Sequence, residues 1–165
     1  MPNEASAPIV FELLDVHPFY MEPDSHFGKH THAHHELVIV QRGRLKVQIN
    51  TIDKIASPGD ILLYPSGVSH EEWVMDNEPV LTFACTFQSN NSDFTKPLFC
   101  HDVRGRIQEL IAKLTLKFLM HLPHERDPEL CRAILTNILE EVRHLAARTH
   151  ETMVEKVREF VIDHI

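Results

Sequence analysis

Residues 30–36 read His-Thr-His-Ala-His-His-Glu, a run with four histidines and one carboxylate. Side chains alternate between two faces along an extended strand, so such a strand would place His30, His32, His34 and Glu36 on one face. Imidazole nitrogen and carboxylate oxygen are suitable ligands for Zn, Fe, Mn, Ni or Cu. The spacing therefore predicts part of a metal site, with one more ligand to come from another strand.

His70 is the best candidate for that further ligand. It follows the run Pro65-Ser66-Gly67, which is typical of a tight turn. Such a turn can bring His70 back toward the face that carries the first histidines.

Short strands are predicted throughout the first hundred residues, because apolar or alternating runs there are separated by Gly, Pro, Asn and Asp. The predicted strands cover residues 8–15, 36–41, 44–50, 61–64, 69–74 and 80–88. The last of them alternates, and places Phe83 and Cys85 on one face. Short strands at this spacing favour a small antiparallel barrel or sandwich.

Helices are predicted after residue 100. Asp127-Pro128 is typical of a helix N-cap followed by proline at the first helical position. The helix that follows carries two adjacent apolar stripes, which include Leu135, Leu139 and Val142. One stripe can pack on the barrel while the other meets a second subunit, or both can be buried in one core. These three residues are therefore the candidate dimerisation residues.

A third helix is predicted to begin near residue 152, where Thr-Met-Val-Glu resembles a capping box. The apolar pattern then continues to Ile165 without a glycine or proline stop signal. We therefore expect the chain to be a piece of a longer protein.

The composition excludes several classes of protein. The net charge of −8 argues against binding of nucleic acid or an anionic membrane by this chain. No apolar run approaches the ~20 residues of a membrane helix, and residues 1–7 do not resemble a signal peptide. The three cysteines form no CxxC motif and are expected to be reduced thiols in a cytoplasmic protein.

Two motifs carry a resemblance to the cupin family. The first reads His30-x-His32-x3-Glu36-x6-Gly43, and the second reads Gly59-x5-Pro65-x-Gly67-x2-His70. The match departs from the family at two flanking positions, where Asp24 and Val74 replace the usual glycine and a frequent asparagine.

The cupin resemblance implies a mainly β fold, a double-stranded β-helix or jelly-roll barrel with its site in the mouth, followed here by an antiparallel helix pair. It also implies four metal ligands, which would be His30, His32, Glu36 and His70. The implied cofactor is a divalent transition metal, Zn, Ni, Fe or Mn, and no organic cofactor is expected.

The whole chain is also similar to the sensor half of AraC-type transcriptional regulators. Pro-Gly-Asp-Ile-Leu-Leu at 58–63 and Pro-Ser-Gly-Val-Ser-His at 65–70 resemble that family, and 154–165 resembles the first helix of its helix-turn-helix domain. The resemblance implies an arm and an effector-binding barrel over 1–100 and a dimerising helical hairpin over 101–150. A DNA-binding domain would begin at 151–165.

We therefore expect an effector-sensing and dimerisation domain rather than an enzyme. Its expected partners are a small effector and a second copy of the chain, with DNA bound only by a C-terminal domain missing from this chain and no membrane contact. The candidate effector-binding residues, from strand parity and position, are Val38, Tyr64, Glu72, Phe83 and Cys85. The alternative is a free-standing metal-dependent cupin enzyme, either a dioxygenase or an isomerase.

Overall fold

Two antiparallel sheets form most of the computed structural model, which describes residues 11–90 and 92–163. The described strands are β1 (Phe11–Met21), β2 (His26–His30), β3 (His35–Arg42), β4 (Leu45–Ile49), β5 (Ile52–Ala56), β6 (Asp60–Tyr64), β7 (His70–Val74), β8 (Val80–Ser89) and β9 (Leu98–His101). One sheet has the order β1-β8-β3-β6-β9 and the other has the order β2-β7-β4-β5.

Two helices follow the sheets. They are α1 (Arg106–Leu119) and α2 (Pro128–Asp163), and short 3-10 turns lie at Ser92–Thr95 and Pro123–Glu125. The predicted fold class, mainly β with C-terminal helices, is confirmed. Asp127 caps α2 as predicted, since its Oδ1 accepts hydrogen bonds from the backbone N–H groups of Glu129 and Leu130, both at 3.1 Å.

The five-stranded sheet has an apolar core on each of its faces. The core between the two sheets contains Val38, Val40, Leu45, Val47, Leu62, Tyr64 and Ala84 among others. The core between the five-stranded sheet and the helices contains Leu37, Ile39, Cys85, Phe87, Ile107, Ile111, Leu114, Leu135 and Leu139 among others. Strands β3 and β8 therefore contribute alternate residues to both cores, which explains why β3 is apolar at successive positions.

The apolar face of α2 is buried within a single chain. Leu135, Leu139 and Val142 each have 0% exposure and pack in the core between the helices and the sheet. The expectation that these residues form a dimer interface is corrected, because this chain already covers them. The two apolar stripes reflect a helix that is deeply buried in one core.

The predicted third helix does not begin at residue 152. A single helix, α2, runs from Pro128 to Asp163. The sequence between these residues contains no glycine or further proline, so nothing interrupts the helix at the capping-box pattern. The pattern at 152–155 lies inside a continuous helix instead of opening a new one.

Three strands were absent from the sequence predictions, namely β2, β5 and β9. The first four residues of β5 are exposed, and β2 contains only one large apolar side chain, Phe27. Their neighbours in the sheets determine these strands, since the local pattern is not apolar enough to indicate them. Residues 8–10 of the first predicted strand lie outside the described residues.

Among the described residues, neither helix is long and apolar enough to cross a membrane.

Candidate metal and ligand site

Three histidine rings from the two motifs converge at the pocket between the sheets. One nitrogen from each of His30, His32 and His70 lies within 4.8 Å of the others. The His30 and His70 ring centroids are 4.2 Å apart, and those of His32 and His70 are 5.0 Å apart. His30 ends β2 and is paired with His70 at the start of β7, so sheet register brings the two motifs together. The predicted convergence is confirmed, while the role of these residues as metal ligands stays a prediction.

Glu36 lies beside the three histidines at the start of β3. Its Oε2 atom is 3.1 Å from Nε2 of His32 and 3.8 Å from Nε2 of His70. Glu36 therefore lies close to two of the histidines, while the group whose ligand atoms are all within 4.8 Å of one another consists of the three histidines. The carboxylate provides negative charge where the imidazole nitrogens face one another.

His34 and His35 do not join this group. Residues 31–34 lie in a bend rather than a strand, so strict alternation fails there. The ring of His34 stacks on that of His32, with 4.2 Å between centroids. His35 faces the other side of β3, where its ring stacks on Phe87 and its Nδ1 accepts a hydrogen bond from the backbone N–H of Ser66.

Backbone carbonyls fix the orientation of the three converging rings. Nδ1 of His30 is 2.8 Å from the Gly28 oxygen, and Nδ1 of His32 is 2.7 Å from the His34 oxygen. Nδ1 of His70 is 3.2 Å from the oxygen of Val68. A carbonyl only accepts hydrogen bonds, so each Nδ1 donates, and the neutral ring keeps its lone pair on Nε2. This is the arrangement in which histidine binds a metal through Nε2, and the donor set therefore fits a divalent ion.

The local electrostatics affect each ligand differently. Burial lowers the pKa of His70 to about 4, so this ring is neutral near pH 7. The hydrogen bond with Glu36 is the main reason that the pKa of His32 is raised. Burial raises the pKa of Glu36, but the hydrogen bond and charge of His32 and the nearby His70 outweigh it, and the net pKa is lowered. His70 therefore favours its neutral form and Glu36 its ionised form, which are the forms that bind a metal. The raised pKa of His32 favours its protonated form, so a metal would have to displace that proton.

A cavity of about 110 Å³ adjoins the histidines. Two of the predicted effector-binding residues, Val38 and Glu72, are among its lining residues. The full lining consists of His17, Phe19, Phe27, His30, Glu36, Val38, His70, Glu72, Thr82 and Ala84. The cavity is therefore bounded by both sheets and lies next to the candidate metal ligands.

Tyr64 lies behind the cavity wall instead of lining the cavity. Its ring is fully buried and stacks on the ring of His70, with 4.0 Å between centroids and 9° between planes. Its hydroxyl donates a 2.5 Å hydrogen bond to Oε1 of Glu72. Burial raises the pKa of Glu72, and the hydrogen bond from Tyr64 offsets part of that effect. The expectation that Tyr64 contacts an effector directly is corrected to a supporting position.

Phe83 and Cys85 lie on the wrong face of β8 to line the cavity. Cys85 is buried in the core against the helices, and Phe83 packs against that same core. Their neighbours Thr82 and Ala84 point into the cavity. The prediction of these two residues as effector contacts is corrected. The larger apolar side chains of β8 face the helices, where the larger core lies, and the smaller ones leave room for the cavity.

Five lining residues were missed by the sequence predictions, and two of them are Thr82 and Ala84 of β8. His17 and Phe19 come from β1, and Phe27 comes from β2. His17 and Phe19 are two residues apart, so strand parity alone would have placed them on one face if β1 had been extended to Met21. No sequence signal indicated Phe27, because β2 itself was not predicted.

Comparisons with known proteins agree with this architecture. Residues 19–86 match the family model described as a cupin domain. The matched stretch is less than half of the chain and contains both histidine motifs, so this part of the chain is similar to a cupin domain. No curated protein matches the chain.

Several solved structures are similar to the chain in fold. An RmlC-like cupin from Shewanella frigidimarina is 19% identical, with 51% of this chain and 72% of that chain covered and a TM-score of 0.43. A predicted oxalate decarboxylase from Thermotoga maritima is 22% identical, with 47% and 68% covered and a TM-score of 0.45. A Cupin 2 conserved barrel domain protein from Salinispora arenicola is 20% identical, with 57% and 73% covered and a TM-score of 0.42. Similarities at this level transfer no substrate to this chain.

Proposed function

We propose that this chain is the effector-sensing domain of an AraC-type transcriptional regulator, and that its cupin barrel binds a small molecule beside a divalent metal ion. One observation carries the proposal. Strands β3 and β8 face the cavity with Val38, Thr82 and Ala84, and their opposite faces hold the helices through the second core. A ligand in the cavity would therefore be separated from the helices only by strands β3 and β8.

The metal would be held by Nε2 of His30, His32 and His70 and by the carboxylate of Glu36. A bound divalent ion would act as a Lewis acid and as an anchor for an oxygen-bearing effector. The adjoining cavity of about 110 Å³ suits a small molecule.

In this proposal, the helices change their arrangement when the cavity binds a ligand. Leu37 and Ile39 of β3 lie in one core with Ile111 of α1 and Leu139 of α2. A ligand that binds one placement of these strands better than another shifts the population of the helix arrangement. A difference of a few kcal/mol between the two placements is enough for such a shift.

The proposed organisation follows from the helical region. The region 101–150 would mediate formation of a homodimer through surfaces other than the buried stripe of α2. The segment 151–165 would begin the DNA-binding domain, and the continuous helix α2 reaches into it as far as Asp163. A continuous helix can transmit a displacement from the barrel core to that segment. The net charge of −8 is consistent with DNA being bound elsewhere than on this chain.

Amide hydrogen exchange of the purified chain tests the sensing mechanism. We expect added Zn²⁺ or Ni²⁺ to slow exchange in β3 and β7 and also in α1 and α2, whereas His70→Ala abolishes both effects. Slower exchange confined to β3, β7 and residues 31–34, with no change in α1 and α2, would contradict coupling to the helices. The gene sequence beyond Ile165 tests the regulator class, since a helix-turn-helix pair supports it and a stop codon at that point contradicts it.

A metal-dependent cupin enzyme, such as a dioxygenase or an isomerase, is the second candidate. The observation that favours it is the carboxyl group of Glu72, which lines the cavity beside the candidate metal ligands and whose pKa is raised by burial. A carboxyl group in such a position suits general acid–base chemistry. The two candidates differ in what happens to a bound compound. After incubation with the protein, NMR would show the compound unchanged for a sensor and converted to product for an enzyme.

A further inference from the structure

A second cavity, of about 290 Å³, lies on the helix side of the five-stranded sheet, between the start of β1, the end of α1 and the start of α2. We propose that it binds a small monocarboxylate with an apolar body, and that Arg126 is the residue that pairs with the carboxylate. This site is separate from the cavity beside the histidines, so the inference does not depend on the proposed function.

Strand β1 lines the two cavities with opposite faces. Leu13 packs against the core between the sheet and the helices and lines the larger cavity, whereas His17 and Phe19 line the cavity between the sheets. Strict alternation would put these three residues on one face, but the pairing of β1 with β8 shifts between Leu13 and Asp15. The shift therefore gives β1 a second lining face, and none of the candidate metal ligands lines the larger cavity.

The walls of the larger cavity suit an apolar body. Five of its eight lining residues have uncharged side chains with little polar surface, namely Leu13, Phe118, Pro123, Pro128 and Cys131. Ligand sites typically combine such a lining with a few polar groups that fix the orientation of the ligand. The other three lining residues, Glu12, Arg126 and Arg132, are charged, so the charge partner of a ligand must be among them.

Arg126 is held in place but has no carboxylate partner. Its guanidinium lies over the ring of Phe118, with 3.8 Å from Cζ to the ring centroid, and its Nε donates a 3.3 Å hydrogen bond to the oxygen of His121. Among the described residues, no acidic group pairs with it and its two terminal nitrogens have no hydrogen-bond partner. Two N–H groups in a fixed plane match the two oxygens of a carboxylate. Because the side chain is already oriented, binding costs little further ordering.

The other charged side chains near this cavity have their own partners or are exposed to water. Nη1 of Arg132 is 3.1 Å from Oε1 of Glu129. Oε2 of Glu125 accepts a backbone hydrogen bond, and Asp127 caps α2. Glu12 is exposed, so its carboxylate can stay in water at the rim. Within the described part of the chain, one lining cation therefore remains for a ligand, which favours a ligand with a single negative charge.

Benzoate, benzamide and benzamidinium test the class of ligand, because they have nearly the same shape and carry one negative charge, no charge and one positive charge, respectively. NMR titration of the chain, treated with EDTA to remove metal, measures their affinities without competition from a metal site. We expect benzoate to bind at least about tenfold more tightly than the other two, because only benzoate pairs with a guanidinium. Its chemical-shift changes should lie at the start of β1 and in residues 117–132, and changes confined to β3 and β7 would contradict the location.

Matched variants assign the preference to Arg126. We expect Arg126→Gln to weaken benzoate binding at least about tenfold and to leave benzamide binding nearly unchanged. Arg106→Gln is the control, because it makes the same change in net charge at the exposed first residue of α1, outside the cavity lining. Should Arg126→Gln fail to fold, Glu12→Gln gives a separate test at an exposed position, and it should tighten benzoate binding about twofold or more by removing a like charge.

The outcomes separate this inference from the proposed function. Equal affinities of the three probes, failure of benzoate to bind, or a preference for benzoate that survives Arg126→Gln overturns the inference. An equal loss of benzoate and benzamide binding in that variant also overturns the charge pairing. His70→Ala, in contrast, should leave benzoate binding unchanged while it abolishes the effects of metal on hydrogen exchange, so the two proposals can fail independently.

Discussion

The ring of Tyr64 stacks on the ring of His70, with 4.0 Å between their centroids and 9° between their planes. Tyr64 ends β6 in one sheet, and His70 begins β7 in the other. The hydroxyl of Tyr64 continues the contact to Glu72, two residues further along β7. A single buried side chain thus supports both a candidate metal ligand and the carboxyl group of the cavity.

This stack leads to a prediction for metal affinity. Tyr64→Leu removes the ring that stacks on His70, and we expect the affinity for Zn²⁺ to fall roughly 10–100-fold, as it does when contacts that orient a metal ligand are lost. Tyr64→Phe keeps the ring, so metal affinity should change less than threefold. The latter variant should instead lower the free energy of unfolding by about 1–3 kcal/mol, because Glu72 loses its partner. Competition titration with a chelating dye and urea unfolding measure the two effects; an unchanged zinc affinity in Tyr64→Leu would contradict the first.

The histidine group leads to a prediction for metal stoichiometry. We expect the purified chain to bind about one transition-metal ion per chain, and His30→Ala or His70→Ala to reduce this to well below one, because each removes an Nε2 donor. His121→Ala is the control, since His121 lies at the exposed end of α1 and is outside the converging group. Elemental analysis after dialysis gives the result. Equal losses in all three variants would indicate surface binding by histidines in general.

The sequence predicted the converging histidines better than the walls of the cavity. Motif spacing brought His30 and His70 together correctly, because a strand pair with fixed register joins the two motifs. Parity failed at His34, because the bend at 31–34 breaks the alternation. It also failed to identify the cavity side of β8, where Phe83 faces the helices. A strand between two apolar cores has apolar residues on both faces, so hydrophobicity alone cannot say which face meets the cavity.

Hydrophobicity alone also could not say what the apolar face of α2 packs against. The broad apolar face of α2 indicated either a deep core or a dimer interface, and the burial of Leu135 and Leu139 by one chain decides for the core. The outcome depends on how α1, α2 and the sheet pack, which is tertiary information. Local signals, such as the cap at Asp127, were sufficient to locate the start of the helix.

The pKa shifts predict how the stability of the metal-free protein depends on pH. The folded pKa of His70 is about 4, below its ordinary value of 6.5. The unfolded chain therefore takes up a proton first as the pH falls, and the contribution of His70 to the free energy of unfolding decreases from pH 6.5 to pH 4. His32 acts in the opposite direction, because its pKa is raised, and its contribution is lost as the pH rises through its folded pKa.

Urea unfolding of the metal-free chain at pH 5 and pH 7 tests these signs. We expect His70→Gln to reduce the loss of stability between pH 7 and pH 5, whereas His32→Gln should increase that loss. His121→Gln, at the exposed end of α1, is the control and should behave as the parent protein. An identical pH dependence in the His70 and His32 variants would contradict the assignment.

The burial of α2 predicts a loss of stability that does not involve association. Leu139→Ala should lower the free energy of unfolding by about 2–5 kcal/mol, because it leaves a cavity in the core between the helices and the sheet. Leu116→Ala is the control at an apolar position of α1 that is 62% exposed, and it should cost much less. Unfolding at two protein concentrations distinguishes the causes. A loss for Leu139→Ala that shrinks at higher concentration would restore the dimer interface at this residue.

Two glycines in tight turns allow the cost of backbone strain to be measured separately from the cost of steric contact. Gly43 and Gly67 have φ angles of 75° and 77°, where an L-residue costs about 1–2 kcal/mol. A Cβ at Gly67 would have no atom within 4 Å, whereas a Cβ at Gly43 would lie 2.7 Å from the oxygen of Pro79 and 2.8 Å from Cγ2 of Val80.

We therefore expect Gly67→Ala to lower the free energy of unfolding by about 1–2 kcal/mol through backbone strain alone. Gly43→Ala should cost clearly more, because the backbone of Pro79 and the buried side chain of Val80 cannot move aside without disturbing β8. Urea unfolding of both variants measures the difference. Equal losses would mean that the turn at Gly43 relaxes freely, and that the start of β8 is held less firmly than its burial indicates.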